Sequence, residues 1–267
     1  MADERKRLRT TFDEAASLYD QARPGYPEDL FDDVVSLSGI PAGGRILEIG
    51  CGTGQATVPL ARRGYRILCI ELGENMATVA RRNLEGYPQA EVRTGAFEEW
   101  PLQEGALDLT ISATAFHWLD PAIAYPKAAV TLRNGGSLAL FWNVDVHSHA
   151  SEEFFEAAQR IYEREAPEIV GPEDYKGLPR PHEIPDRTEE IQNTSLFGSI
   201  TTRHYWWDET YDSWGYLRVL STYSGHRSLN DDTRERLFRG LADLIDNSFD
   251  GRMVKGYLTT LYVAKRK

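Results

Sequence analysis

The 267-residue sequence has little of three features that would each define a class of protein. Its two cysteines are too few for a disulfide framework and lack the spacing of metal ligands. No apolar run reaches the length of about 18 residues that spans a bilayer. No apolar segment follows the charged N-terminus, as one would in a secretory signal. We therefore expect a cytoplasmic protein with reduced thiols, no membrane partner and no metal site.

Positive charge is also scarce. The chain carries 30 Lys and Arg residues against 41 Asp and Glu residues, which gives a formal net charge of -11. Binding along a nucleic-acid backbone requires clustered basic side chains. The charge balance therefore argues against nucleic acid as a partner or substrate.

Apolar strand patterns alternate with helical ones over the first two-thirds of the chain. Strands are predicted at RILEIG, YRILCIEL, AEVRTGAF, LDLTISATAF and SLALFWNV, and then at SITTRHYWWDETY and GYLTTLYVAKRK. The helix in PAIAYPKAAVTLRNGG is expected to stop at its glycines. Strands separated by helices pair in parallel, with helices on both faces of the sheet. The sequence predicts one doubly wound α/β domain over residues 1–267, with an insertion at 144–197 above the carboxyl edge of the sheet.

The stretch RILEIGCGTGQAT places a glycine-rich turn directly after the first predicted strand. A dinucleotide fingerprint needs a third glycine three places after Gly52, where this chain has Gln55. The acid Glu48 before the turn suits a cationic amine better than a pyrophosphate. Glu71, at the end of the second predicted strand, can accept both hydrogen bonds of a ribose diol. These features predict an adenosine ligand with an amino-acid-like end.

ILEIGCGTG together with Glu71 resembles the S-adenosylmethionine site of class I methyltransferases, and the likeness covers about residues 10–143. The stretches FDEAASLYDQARPGYP, TGAFEEWPL and ATAFHWLD further resemble the subgroup that includes trans-aconitate methyltransferase. The resemblance implies a seven-stranded Rossmann-like sheet and an N-terminal helical lid over residues 1–30. It also implies methyl transfer from S-adenosylmethionine to a small molecule, most plausibly at a carboxylate or hydroxyl oxygen, with S-adenosylhomocysteine as the product.

The same resemblance assigns the cofactor site. Glu48 would help to hold the methionyl amine, the three glycines would line the methionine and ribose, and Glu71 would bind the ribose. Leu72 and Met76 would pack on the adenine. The implied cofactor-binding residues are Tyr19, Arg23, Glu48, Gly50, Cys51, Gly52, Gly54, Glu71, Leu72, Met76, Ala96, Phe97, Ala113 and His117.

One position departs from the pattern of the family. Many relatives have an acid after the third strand to contact the adenine amine, whereas this chain has Ala96 there. The contact would then fall to the backbone of Ala96 and Phe97, or to Glu98.

Several residues are candidates for acceptor binding. His117 is a candidate general base or acceptor anchor, and FHW is equally consistent with a packed cap on the cofactor pocket. Tyr19 and Arg23 either contact cofactor or acceptor, or belong with Tyr26 to a turn that starts a helix. Cys51 is interpreted as a small filler, since methyl transfer from a sulfonium is direct.

The second half of the chain offers two further sets. Cations and polar groups of the insertion, which would hold a carboxylate unless they are solvated surface, are Tyr175, Lys176, Arg180 and His182. Aromatic residues that form either a sheet face and helix core or a wall of the acceptor pocket are Tyr205, Trp206, Trp207, Tyr211, Trp214 and Tyr216.

Two rival functions use the same fold. A nicotinamide-dependent reductase is disfavoured by the glycine spacing and by Glu48. A non-catalytic module that binds S-adenosylmethionine would keep the glycines and Glu71 unchanged, so the motif does not separate it from an enzyme. The sequence leaves the acceptor and the oligomeric state open.

Overall fold

The structure is a computed structural model that describes residues 13–101, 103–148, 150–170 and 178–267. The strands are β1 (Arg45–Ile49), β2 (Arg66–Glu71), β3 (Ala90–Thr94), β4 (Leu107–Ala113), β5 (Leu132–Val146), β6 (Phe197–Tyr211) and β7 (Met253–Arg266). The helices before β5 are α1 (Ala16–Ala22), α2 (Glu28–Ser38), α3 (Thr57–Arg62), α4 (Glu74–Asn83) and α5 (Pro121–Thr131). Those after β5 are α6 (Glu152–Glu165), α7 (Thr188–Asn193), α8 (Ser213–Leu220), α9 (Ser224–Arg227) and α10 (Asp231–Ser248). Short 3-10 helices lie at Asp13–Ala15, Phe116–Trp118, Pro167–Ile169 and Pro181–Glu183.

All seven strands form one sheet, in the order β3-β2-β1-β4-β5-β7-β6. The first five strands pair in parallel, and β7 lies antiparallel between β5 and β6. Helices cover both faces, so β1 and β4 are buried almost throughout. The structure confirms the predicted doubly wound α/β fold. The strand order reverses at β1: β2 and β3 lie on one side of it, and β4 and β5 lie on the other. The carboxyl ends of β1 and β4 therefore flank the crevice in which such sheets bind ligands.

The end of α2 follows the local sequence signal, whereas the end of α5 does not. Helix α2 ends at Gly39, as its pattern predicts, with the glycine in the left-handed region at φ 61°. Helix α5 ends at Thr131, before the glycines predicted to stop it, so that prediction was wrong. The backbone is extended at Leu132, whose side chain is fully buried and which pairs with Leu107 in the sheet. Burial of this leucine therefore ends the helix earlier than the glycines would.

A second core lies beside the sheet. Helix α6, from the segment predicted as an insertion, packs with α8 and α10 around Phe154, Leu220, Leu237 and Leu241. Helix α8 also contacts α1, the N-terminal helix. In the part of the chain that the structure describes, no helix combines the length and hydropathy needed to span a membrane.

Candidate functional site

The glycine turn between β1 and α3 depends on backbone conformations that side chains disfavour. Gly50, Gly52 and Gly54 all have positive φ, at 69°, 58° and 98°. At Gly50 a Cβ atom would also lie 2.6 Å from the Cβ of Ala115, which belongs to the segment after β4. The turn can therefore bring its amides close to a ligand only with glycine at these positions.

The Glu71 side chain links the glycine turn to the turn that follows β2. Its Oε2 accepts a hydrogen bond from the Gly52 amide at 2.9 Å, and its Oε1 accepts from the Gly73 amide at 3.0 Å. Burial raises the pKa of this carboxyl group, and the backbone donors act in the opposite direction. Glu71 lines a cavity of about 300 Å³, and an ionised carboxylate oxygen can accept more than one hydrogen bond.

The cavity lies at the carboxyl ends of the parallel strands and gathers most of the predicted site. Its lining includes the predicted residues Tyr19, Arg23, Gly50, Cys51, Gly52, Glu71, Leu72, Met76, Phe97, Ala113 and His117. Three predicted residues lie outside that lining, namely Glu48, Gly54 and Ala96. Gly54 belongs to the turn itself, and Ala96 lies between the lining residues Gly95 and Phe97.

Glu48 is fully buried beneath the glycine turn. Its Oε2 accepts a hydrogen bond from the Thr57 hydroxyl at 2.7 Å, whereas its Oε1 has no partner among the described residues. Burial raises the pKa of Glu48 to about 8, and the Thr57 hydrogen bond partly offsets the effect. Glu48 is therefore protonated at neutral pH in this state, and it supports the turn through the start of α3.

We expect Glu48→Gln to change how stability depends on pH. The folded state keeps the Glu48 proton from its ordinary pKa of 4.5 up to about 8, whereas the unfolded chain loses it. Wild-type stability should therefore fall as pH rises through this window, at up to about tenfold in the folding equilibrium per pH unit. The glutamine variant lacks this titration. Urea unfolding of both proteins at pH 5, 6.5 and 8 measures the difference, and parallel pH dependences would contradict the assignment.

Cys51 lines the cavity, and Cys69 lies in β2. Both are buried free thiols. A hydrogen bond with Cys69, together with burial, raises the pKa of Cys51 well above its ordinary value. Cys51 is thus a protonated thiol, consistent with the filler role expected from the sequence rather than with a nucleophile.

Two buried donors at the cavity have no partner among the described residues, Arg23 Nε and Gln55 Nε2. The Arg23 guanidinium lies between two rings, 5.2 Å from the centroid of Tyr19 and 4.3 Å from that of Tyr223. Buried donors without partners are costly. The pair therefore fits a ligand with an anionic group such as a carboxylate.

The described part of the N-terminal segment, from Asp13 onward, lines the cavity and is hydrogen-bonded on both sides of it. On one side, Asp13 accepts hydrogen bonds from the Met76 amide at 2.9 Å and from Asn75 at 3.1 Å. On the other side, the Tyr26 and Thr114 hydroxyls lie 2.8 Å apart, and Asn143 donates to the Gly25 carbonyl at 2.8 Å. The described part of this segment is thus bonded to α4, to Thr114 just after β4 and to β5.

His117 lines the cavity just after β4. Its Nδ1 accepts a hydrogen bond from the indole of Trp142 at 3.0 Å. Since an indole nitrogen only donates, the neutral ring carries its own proton on Nε2. The nitrogen opposite Trp142 is therefore a donor in the neutral form.

The described candidates from the second half of the chain lie outside the cavity lining. Trp207 stacks on Tyr257 at 4.6 Å, and the hydroxyl of Tyr211 lies 3.0 Å from that of Tyr257, so both support a lining residue. Tyr216 is buried in the helical core, and Trp206 and Trp214 are exposed. Tyr205 donates to Asp33 at 2.6 Å. Arg180 and His182 do not line the cavity, and Tyr175 and Lys176 lie outside the described residues.

The sequence analysis missed several lining residues, and the structure adds Asp13, Thr114, Asn143, Asp145, Tyr223 and Tyr257. Asn143 and Asp145 could have been found, because polar residues at the carboxyl end of a parallel strand face the ligand crevice. Tyr223 and Tyr257 carry no such signal, since they come from a loop and an antiparallel strand distant in sequence.

The sequence of this region matches a known family. Residues 47–140 match a family model described as a methyltransferase domain. The chain is 36% identical over 143 residues to an uncharacterized methyltransferase of Mycobacterium bovis, covering 54% of this chain and 56% of that protein. It is 33% identical over 143 residues to malonyl-[acyl-carrier protein] O-methyltransferase of Geobacter sulfurreducens, covering 51% of this chain and 52% of that protein. The chain thus spans about half the length of these curated relatives.

Solved structures agree with the domain fold. A provisionally assigned type II methyltransferase of Anaeromyxobacter dehalogenans superposes with a TM-score of 0.63 at 19% identity, covering 91% of this chain and 97% of that one. A phosphoethanolamine N-methyltransferase of Haemonchus contortus, solved with S-adenosylhomocysteine, gives a TM-score of 0.54 at 16% identity, covering 95% and 57%. At these identities the likeness establishes a shared fold.

Proposed function

We propose that this chain transfers a methyl group from S-adenosylmethionine to a small-molecule acceptor, at an oxygen, and releases S-adenosylhomocysteine. The observation that carries the proposal is the double link from Glu71 to the Gly52 and Gly73 amides at the edge of the cavity. It fixes a carboxylate where a ribose diol can donate to it. The match of residues 47–140 to a methyltransferase domain supports the same activity.

The residues present fit this cofactor. Arg23 Nε and Gln55 Nε2, which have no hydrogen-bond partner among the described residues, offer buried donors for the methionyl carboxylate. Leu72, Met76 and Phe97 offer an apolar surface for the adenine. When bound, the cofactor supplies an activated methyl group, so the protein mainly has to align the acceptor with it. His117 would contribute an Nε2 donor at this cavity.

The N-terminal segment is proposed as a lid, because its described part covers the cavity and is bonded to α4, β4 and β5. A small acceptor is favoured by the cavity volume of about 300 Å³ and by the resemblance of the flanking motifs to trans-aconitate methyltransferase. The acidic charge of the chain disfavours a nucleic-acid acceptor.

Calorimetric titration with S-adenosylhomocysteine and with NADH tests the cofactor. We expect micromolar binding of the homocysteine compound, which corresponds to about -8 kcal/mol, and none of NADH. Binding of NADH alone would establish the reductase alternative instead. Tritium transfer from labelled S-adenosylmethionine to small hydroxyl and carboxyl compounds then distinguishes an enzyme from a non-catalytic binding module.

A further inference from the structure

A polar cluster lies at the cavity beyond the glycine turn. Lys255, on β7, has only 2% of its surface exposed. Its Nζ lies 2.6 Å from Asp145 Oδ2 and donates to the Tyr223 hydroxyl at 2.6 Å. The Tyr223 hydroxyl in turn donates to the same Asp145 oxygen at 2.8 Å. Lys255 therefore balances the charge of Asp145, and both partners fix one oxygen of its carboxylate.

The other oxygen of Asp145 is left for a ligand. Asp145 lines the cavity, and its side chain is 28% exposed. Within the described ranges, Oδ1 takes part in no hydrogen bond. An ionised carboxylate only accepts hydrogen bonds, so a molecule bound here must bring a donor.

The charges around this oxygen narrow the class of donor. Lys255 already neutralises Asp145, and we assign the Arg23 guanidinium to the methionyl carboxylate of the cofactor. A cationic amine would therefore meet a carboxylate whose charge Lys255 already balances, whereas a carboxylate would face Asp145 itself. A neutral hydroxyl group meets neither penalty.

Two aromatic rings lie at this end of the cavity. The Tyr223 hydroxyl is bonded to Asp145, and the centroid of the Tyr257 ring lies 5.2 Å from Lys255 Nζ. Tyr19 and Trp118 also contribute to the cavity lining. Such rings favour a planar apolar ligand, which can stack or pack edge to face against them. A phenolic hydroxyl, with a pKa of about 10, also releases its proton to a carboxylate far more readily than an alcohol does.

We propose that Asp145 binds the hydroxyl group of a neutral phenolic acceptor and takes its proton during methyl transfer. This inference rests on the proposed function and names its substrate class. The O–H bond breaks with its proton passing to Asp145 Oδ1, and the oxygen forms a bond to the methyl carbon. The carbon–sulfur bond breaks with its electron pair remaining on sulfur. The products are a methyl ether, a neutral thioether and a protonated Asp145, which then loses its proton to water.

This role falls to Asp145 rather than to His117. The Nδ1 lone pair of His117 is taken up by the Trp142 indole, so the neutral ring presents a donor on its other nitrogen. Tyr223 acts as a positioning residue, because its hydroxyl holds the opposite oxygen of the carboxylate.

The test uses tritiated S-adenosylmethionine with three acceptors of similar shape: 4-ethylphenol, 4-ethylbenzoate and 4-ethylbenzylamine. We expect the wild type to methylate the phenol at least about tenfold faster than either charged compound. Asp145→Asn should lower kcat/KM for the phenol by about 100-fold or more, the scale of a lost general base. S-adenosylhomocysteine should bind Asp145→Asn and the wild type equally, and Asp208→Asn, an exposed change on β6, should behave as wild type.

Each other result has a defined meaning. Binding of S-adenosylhomocysteine with methylation of the benzoate or the amine, or of none of the three, would overturn the inference and leave the cofactor assignment intact. Full turnover by Asp145→Asn would also overturn it. If the wild type does not bind S-adenosylhomocysteine, the proposed function itself is refuted. If Asp145→Asn does not fold, Tyr223→Phe decides: a fall of about threefold to tenfold in kcat with unchanged cofactor KM supports the inference, and unchanged turnover contradicts it.

Discussion

Glu71→Gln is expected to weaken S-adenosylhomocysteine binding by about 100-fold or more. The carboxylate accepts from two backbone amides, Gly52 and Gly73, and we assign its remaining lone pairs to the ribose diol. Glutamine has an NH2 group in place of one carboxylate oxygen, so a hydrogen-bond donor would face the backbone amide and the ribose hydroxyl, which are donors too. Each charge-assisted hydrogen bond contributes about 1.5–3 kcal/mol, so losing two of them accounts for the effect. Calorimetry measures the dissociation constant.

Glu74→Gln is the matched control for this change. Glu74 is a nearby glutamate whose side chain is 65% exposed and pairs with Arg81 instead of facing the cavity. The Glu74→Gln variant should bind S-adenosylhomocysteine as tightly as the wild type does. Equal affinity of the Glu71 variant and this control would contradict the assignment of Glu71 to the cofactor.

Gly73→Ala is expected to weaken the same ligand by about 10-fold to 100-fold, although no side chain is removed. Gly73 has ordinary backbone angles, with φ at -81°, so alanine is not strained there by the backbone. Its Cβ, however, would lie 2.4 Å from Asp13 Oδ1. Asp13 caps the Met76 amide at the start of α4 and ties the N-terminal segment across the cavity. Displacing it should open the proposed lid and raise the dissociation rate.

A double-mutant cycle distinguishes this lid contact from a general loss of stability. Asp13→Ala removes the tie directly, and the Asp13→Ala/Gly73→Ala double variant should bind no more weakly than either single variant. Gly86→Ala serves as the control, because a Cβ there meets nothing within 4 Å. Additive losses would mean that Gly73 and Asp13 act on the ligand separately, and the lid proposal would fail.

The glycine turn and Glu71 could be identified from the sequence because their geometry is local. A turn with three positive φ angles requires glycine, and the end of the next strand lies beside it in any parallel sheet. The alternating strand and helix patterns likewise predicted the fold class. The end of α5 was placed wrongly because burial of Leu132, which the sheet decides, outweighed the local glycine signal.

The position of Glu48 shows a different limit. Sequence places an acid before the turn, but the pleat of β1 decides that its side chain faces the core under α3 and not the cavity. Arg23 shows the same limit. The sequence predicts its guanidinium near the ligand, but it gives no sign of the contact with the Tyr223 ring, because the two residues are 200 positions apart.

By itself, the sequence determined the order of the elements, the glycine turn and the position of Glu71, the acid that we assign to the ribose. Each follows from spacing within strand–turn–helix units. Only the tertiary structure decided the far end of the cavity. There β7 inserts antiparallel between β5 and β6, and this pairing brings Lys255 to Asp145. The turn after α8 brings the Tyr223 hydroxyl to both side chains. These contacts are set by packing and charge pairing between distant segments, for which a single sequence contains no local pattern.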